Sequence, residues 1–103
     1  MVKLSYTSPA LADLQHIFVY ISNDSVISAR RLVHTLKERI KTLKTFPEKG
    51  RPLFGQKHPG IRQVLYRSYR IIYKHDGENI LIPVITHQSR LISNIEAIKQ
   101  YLI

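Results

Sequence analysis

Hydrophobic and polar residues follow two periods along this chain, and the period changes twice. Val2 to Thr7 alternates apolar and polar positions, which predicts a first β-strand with one buried face. Apolar residues then recur three and four positions apart in two segments, which predicts two amphipathic helices. The apolar positions of these helices are Ala10, Leu14, Ile17, Phe18 and Ile21, followed by Ala29, Leu32, Val33, Leu36, Ile40 and Leu43. The polar run Ser22–Ser25 separates them, so we expect a helical hairpin over residues 9–46.

The ends of the two helices carry their own signals. Ser8 predicts the N-cap of the first helix and Pro9 its first position, where a proline has no N–H to leave unpaired. Pro47 predicts the end of the second helix. The segment Phe46–Gly60 contains three of the five prolines and three of the four glycines, which predicts a long loop.

Alternation returns in the second half of the chain. Ile61–Tyr66, Tyr69–Lys74 and Ile80–Thr86 each predict a strand. The Asp76-Gly77 pair predicts a hairpin between the last two, because glycine accepts positive φ without steric cost. Pro83 lies inside the last strand and cannot donate to a ladder, so we expect a β-bulge there or a partner strand whose acceptor faces elsewhere.

The C-terminal segment predicts a short helix. Ser93 to Glu96 has the spacing of a capping box, and the apolar residues Ile98, Tyr101 and Leu102 follow it. The order of the predicted strands and helices along the chain indicates an α+β fold in two layers, organised as a single domain over residues 1–103. Its N-terminal strand and helical hairpin precede a three-stranded antiparallel meander, which completes a four-stranded sheet.

Charge adds a prediction about partners. Sixteen Lys and Arg residues stand against seven Asp and Glu, for a net charge of +9, which favours a polyanionic partner. The chain has no Cys, which is typical of the reducing cytoplasm, where we expect the protein to act. The apolar runs are much shorter than the roughly 20 residues of a membrane span, so no membrane partner is expected. The histidines have no metal-site spacing, and we predict neither a metal nor a cofactor.

Several short motifs together resemble the RelE/ParE superfamily of bacterial toxins. They are Ala12-Asp13-Leu14 with Ile17 and Tyr20-Ile21, Ala29 with Leu36, Pro47 with Gly50-Arg51, Gly60-Ile61-Arg62, Tyr69-Arg70-Ile71-Ile72-Tyr73, and Val84-Ile85-Thr86-His87 with Arg90. The resemblance covers residues 3 to 90 and rests on the order and spacing of these motifs. It implies a type II toxin that a cognate antitoxin holds inactive.

The superfamily implies two alternative activities. RelE-like members cut messenger RNA on the ribosome without a metal, whereas ParE-like members poison DNA gyrase. Cleavage of RNA needs a base, an acid and cations for the phosphorane charge. Arg70 and His87 match catalytic positions of the YoeB-like branch. That branch has a glutamate where this chain has Leu53 and a tyrosine where it has Gln88, so the position of the general base is empty.

The ParE-like pattern fits these residues better. This chain contains its Gly-Arg, Gly-x-Arg, Tyr-Arg-Ile-x-Tyr and Val-x-x-His-x-x-Arg motifs, although His87-Gln-Ser-Arg90-Leu91 departs from the usual His-x-Arg-Arg-Asp. We therefore predict a gyrase inhibitor, with an mRNA endoribonuclease that uses His87 and Arg70 as the alternative. A non-toxic basic nucleic-acid-binding module is a third possibility. The residues expected to bind phosphate or the antitoxin are Arg51, Arg62, Arg70 and Arg90.

Overall fold

A computed structural model describes residues 2–101 of the chain. The strands are β1 Lys3–Tyr6, β2 Arg51–Pro52, β3 Ile61–Tyr66, β4 Tyr69–His75 and β5 Asn79–His87. The helices are α1 Ser8–Ser22, α2 Val26–Lys41 and α3 Glu96–Lys99, with short 3₁₀ turns at Thr42–Lys44, Gly55–Lys57 and Ile92–Asn94. No helix among the described residues is long and apolar enough to span a membrane.

The strands form one mixed sheet in the order β1-β5-β4-β3-β2. β1 runs parallel to β5, and the other neighbours are antiparallel. This confirms the predicted α+β class and the meander, but the sheet has five strands rather than four. The additional strand is two residues long, with Arg51 opposite Gln63 and Pro52 opposite Arg62. A strand this short has no periodicity to detect, and a proline is tolerated in it because it lies at the edge.

The helical hairpin covers one face of the sheet, which we call the hairpin face. Alternate residues of β4 point toward it, among them the fully buried Ile71 and Tyr73. The helices contribute buried apolar side chains from three and four positions apart, as their sequence period predicts. The core under the hairpin contains Ala10, Leu14, Leu36, Ile40, Leu43, Ile71, Tyr73, Ile80, Ile82 and Ile85.

The opposite face, which we call the second face, is covered over part of its area. There Ile61, Ile72 and Val84 pack with Ile95 and Ile98 of the C-terminal segment. Partly buried residues of the loop before β3 and of the C-terminal segment complete this smaller core; they are Leu53, Phe54, Ile92, Ala97 and Tyr101. The structure therefore adds a partial third layer to the two that were predicted.

Thr7, and not Ser8 as predicted, caps helix α1. Its hydroxyl oxygen accepts a hydrogen bond from the Ala10 N–H at 3.1 Å, while its own N–H donates to the Ile82 carbonyl at 3.1 Å. Thr7 therefore hydrogen-bonds to β5 through its backbone and caps α1 through its side chain. Pro9 remains in the first turn, where its missing N–H costs nothing.

Pro83 lies in a β-bulge, which is one of the two predicted alternatives. Ile72 pairs with Val84 and Lys74 pairs with Leu81, so Tyr73 alone faces the two residues Ile82 and Pro83. The extra residue reverses the alternation of the rest of β5. Ile82 and Ile85 therefore both reach the core under the hairpin, whereas Val84 lies in the second core.

A short C-terminal helix is present, but the predicted capping box is wrong. Ser93 lies inside the 3₁₀ turn Ile92–Asn94, and α3 begins after Ile95 without a side-chain cap. Glu96 pairs instead with Lys99, with 2.8 Å between Oε1 and Nζ. Leu102, assigned to this helix in the prediction, lies outside the described residues.

Candidate functional site

His87 ends β5 on the hairpin face. It is the direct partner of Tyr69, whose ring meets the imidazole edge-on with 5.9 Å between centroids. The Nδ1 atom accepts the Ser89 N–H at 3.1 Å and lies 2.8 Å from the Ser89 hydroxyl oxygen. Because Nδ1 is an acceptor, the neutral ring carries its proton on Nε2. The imidazole is exposed and presents that N–H to a partner.

Arg70 lies on the second face. Its neighbours Tyr69 and Ile71 both pack under the hairpin, so strand alternation directs Arg70 the other way. The guanidinium donates to the Gln63 Oε1 at 2.7 Å and to the Gln88 carbonyl at 3.2 Å. Its Nε is buried and has no hydrogen-bond partner within residues 2–101. This half-buried cation therefore keeps one unused donor.

The predicted catalytic pair does not converge, and the bulge at Pro83 is the reason. Had β5 alternated regularly from Ile82, His87 would lie on the second face beside Arg70. The extra residue in the bulge instead moves His87 to the hairpin face. An acid or base at His87 and a cation at Arg70 are thus separated by the sheet.

The four predicted arginines occupy different environments. Arg51 is exposed on β2, directly opposite Gln63, and therefore shares the second face with Arg70. Arg62 instead donates to the carbonyls of Gly50 at 2.8 Å and Glu48 at 3.3 Å. Arg90 lies beyond β5, in a hollow that it lines together with Asp13 and Glu96. Only Arg51 and Arg70 share a face of the sheet.

The Gly-Arg, Gly-x-Arg and Tyr-x-x-x-Tyr motifs meet in a structural clamp. The buried Tyr73 hydroxyl donates to the Pro47 carbonyl at 2.7 Å and accepts the Gly50 N–H at 2.8 Å. Arg62 binds the carbonyl of the same glycine. A Cβ on Gly50 would come within 2.6 Å of the Tyr73 ring, so a glycine is required for this close approach. These motif residues fasten the loop after α2 to the sheet.

A groove of about 600 Å³ opens where the hairpin meets the ends of β4 and β5. Its walls are mainly apolar, and its polar groups include Asp13, His16 and His87. The apolar lining is contributed by Ile17, Tyr20, Ile21, Leu32, Tyr69 and Ile85. Tyr20 is 74% exposed at the rim, so the groove provides a ready apolar contact surface.

Asp13 stabilises the wall of this groove, a role that its sequence context did not reveal. β1 pairs with β5 only as far as Ile82, and beyond that point the Asp13 Oδ2 accepts the Ile85 N–H at 2.9 Å. Burial raises the pKa of Asp13 above its ordinary value, while the Ile85 hydrogen bond and the charges of Arg90 and His16 oppose the rise. The side chain replaces a missing strand neighbour.

The fold and the comparison with known families together identify a toxin component of a type II toxin–antitoxin system, of the RelE/ParE superfamily. Residues 4–92 match the family described as the ParE toxin of the type II toxin–antitoxin system parDE. This match covers most of the chain, and the chain belongs to the ParE toxin family.

Solved structures share this fold. A chain of the chromosomal ParDE toxin–antitoxin system from P. aeruginosa matches with a TM-score of 0.70 and 28% identity, covering 84% of this chain and 96% of that one. A chain of the RelBE2 toxin–antitoxin complex from Mycobacterium tuberculosis matches with a TM-score of 0.64 and 20% identity. This match covers 84% of this chain and 98% of that one. At the latter identity the similarity concerns the fold alone. A comparison with curated proteins found no match.

Proposed function

We propose that this toxin inhibits DNA gyrase in the cytoplasm and is neutralised by a cognate antitoxin. The observation that carries the choice of gyrase is the separation of His87 and Arg70 on opposite faces of the sheet. General acid–base cleavage of RNA requires the proton-transfer group and the phosphate-binding cation around one scissile bond. This arrangement offers them on two different surfaces.

The environment of Leu53 supports the same proposal. In the resemblance to the YoeB-like branch, the position that matches Leu53 carries a glutamate. Here Leu53 packs against the second core with Phe54, and its N–H donates to the Ile61 carbonyl at 3.0 Å. A leucine neither accepts nor donates a proton, and the loss of a general base typically costs about 10²–10⁴-fold in rate.

The groove beside Tyr20 is the surface that we assign to the antitoxin. Its apolar walls suit the apolar side of an amphipathic segment, and the net charge of +9 favours acidic residues on that segment. The solved structure from P. aeruginosa, which is 28% identical, is named for a ParDE toxin–antitoxin system. The partner to test is the product of a short neighbouring reading frame.

The groove assignment is tested with a matched pair of substitutions. Tyr20→Asp places a charge at the apolar rim, and we expect it to weaken antitoxin binding at least about tenfold, because a buried unpaired charge opposes association. Leu65→Asp introduces the same charge on the second face, at a residue that is 55% exposed. It should leave the affinity unchanged when both are measured by calorimetry. Equal losses from the two variants would refute the groove assignment.

The choice of target is tested with two assays of the purified toxin. We expect it to inhibit supercoiling by gyrase and to trap DNA breaks, while messages in cell-free translation keep their original ends. His87→Ala and Arg70→Ala controls identify any cleavage chemistry. Codon-positioned message cuts that disappear in either variant would overturn the gyrase proposal.

Ribosome-dependent RNA cleavage stays the second candidate because of one observation. The second face carries the exposed Arg51 as well as Arg70, and the buried Nε of Arg70 is unsatisfied within the described part of the chain. A phosphate that reached the Arg70 guanidinium after a local rearrangement would satisfy that donor in a charge-assisted hydrogen bond. In this alternative Arg70 neutralises the phosphate, and His87 requires a rearrangement of β5 to reach it.

A further inference from the structure

The turn between β3 and β4 lies against α2 and encloses a small hollow with no acidic residue in its lining. The hollow has a volume of about 200 Å³. It is lined by Ser28, Arg31, Leu32, Thr35, Tyr66 and Arg67. The residues that line this space, which is large enough for one oxyanion, include two arginines and three side chains with a hydroxyl group.

The backbone at Arg67 is strained in a way that points to a role for its side chain. Its φ is +53°, whereas glycine or asparagine normally occupies such a turn position. Gln88 holds this conformation by donating from its N–H to the Ser68 carbonyl at 2.8 Å and from Nε2 to the Arg67 carbonyl at 2.6 Å. A strained residue that its surroundings hold in place is typical of a binding site.

The guanidinium groups at this turn are positioned but not neutralised. Arg39 and Arg67 both lie over the Tyr66 ring, at 5.0 and 5.6 Å from its centroid. Neither they nor Arg31 form a side-chain hydrogen bond or an ion pair within residues 2–101. Each guanidinium offers five N–H donors, and hydroxyl groups such as those of Ser28 and Thr35 also donate to phosphate.

We propose that this hollow binds a phosphate of a nucleic-acid backbone. The inference goes beyond the gyrase proposal and does not depend on which target is correct. Three residues along α2 favour a nucleic-acid backbone over a single carboxylate as the ligand. Arg31, Thr35 and Arg39 recur every four residues and therefore span about 12 Å of one helix face. The same helix and the turn after it carry further exposed cations, namely Arg30, Lys37, Lys41 and Lys44, against the single acid Glu38. An extended polyanion is long enough to contact Arg31, Thr35 and Arg39 together.

The test measures binding to a short DNA duplex and to a single-stranded RNA as the salt concentration rises. We expect Arg31→Gln combined with Arg67→Gly to weaken binding at least tenfold at low salt. The slope of log K against log salt should fall by about 0.9 per lost duplex contact, or about 0.7 on a single strand. Lys74→Gln removes an exposed cation from the second face and should change neither quantity. The two probes show which nucleic acid the hollow prefers.

A second readout separates binding from a structural role of Arg67. Glycine adopts positive φ without strain, so Arg67→Gly alone should keep or raise the melting temperature while it weakens binding. A lower melting temperature with unchanged affinity would show that Arg67 only packs on Tyr66. No binding to either probe at about 50 mM salt, or equal losses with Lys74→Gln, would overturn the proposal. Binding of a poly-glutamate peptide alone, with the same dependence on Arg31 and Arg67, would assign the hollow to an acidic protein instead.

Discussion

The hairpin face and the second face are made by the same strands, yet they are covered to different extents. On β4, Ile71 and Tyr73 are fully buried under the hairpin. On the other side of that strand Ile72 is buried, Arg70 is half-buried and Lys74 is exposed. Under the hairpin these side chains join one core, whereas on the second face the buried Ile72 lies between two cationic residues. The same strand therefore carries core residues on one side and accessible cations on the other.

The largest effect expected from this comparison is on the core under the hairpin. Leu36→Ala should lower the free energy of unfolding by about 2–5 kcal/mol, because it leaves a cavity at a fully buried position. Leu65→Ala, at the exposed end of the second face, should change it by less than about 0.5 kcal/mol. Denaturant unfolding measures both. Similar losses in the two variants would show that the second face is also covered in solution.

The clamp at the loop after α2 should show the next largest effect. Tyr73→Phe removes the hydroxyl that serves both Gly50 and Pro47, and we expect a loss of about 1–3 kcal/mol in unfolding free energy. Tyr66→Phe is the matched control, because the Tyr66 hydroxyl makes no hydrogen bond within residues 2–101. An equally large loss in the control would mean that the ring, and not the hydroxyl, is responsible.

Asp13 tests how the hairpin closes the exposed edge of β5. Asp13→Ala leaves the buried Ile85 N–H without its acceptor and should cost about 1–3 kcal/mol. Asp13→Asn retains an acceptor oxygen at the same place and should cost much less. Chemical denaturation of the three proteins at neutral pH provides the comparison.

The same residue predicts a pH dependence with a definite sign. The pKa of folded Asp13 lies above the ordinary 3.8, so the folded state binds its proton more tightly than the unfolded chain does. The extra folding stability from binding this proton is fully present at a pH below the ordinary pKa, and it is lost as the pH rises through the raised pKa of the folded state. The wild type should therefore gain stability relative to Asp13→Asn as the pH is lowered from neutral toward 3.8. A gain in the opposite direction would show that the Ile85 and Arg90 interactions outweigh burial.

The smallest expected effect on stability belongs to Arg70. Arg70→Met removes a buried Nε that has no partner within the described residues, and this gain offsets the loss of the hydrogen bonds to Gln63 and Gln88. The unfolding free energy should therefore change by less than about 1 kcal/mol. Arg62→Met, one strand away, also removes two hydrogen bonds but relieves no buried unsatisfied donor, so it should destabilise the protein more. If Arg70→Met is the more destabilising of the two, Arg70 is a structural residue and the second face loses its strongest claim to bind phosphate.

The local pattern of the sequence determined most of the elements. Ile61–Tyr66 was predicted with the observed bounds, and the strand predicted as Tyr69–Lys74 extends only one residue further. These elements could be read from the sequence because each buries one face, and burial imposes a period on the side chains. The sequence also marked Pro83 as a break in the ladder, since a proline has no N–H to donate, and it left a bulge as one of two alternatives.

The tertiary structure alone decided which side chains meet. The two-residue β2 exists only because β3 pairs with it, and Thr7 replaces Ser8 as the helix cap because β5 holds its backbone. Most consequentially, one extra residue in the bulge of β5 exchanges the faces that follow it and separates His87 from Arg70. A sequence motif records the order of residues along the chain, whereas the phase of each strand relative to its neighbours depends on long-range pairing.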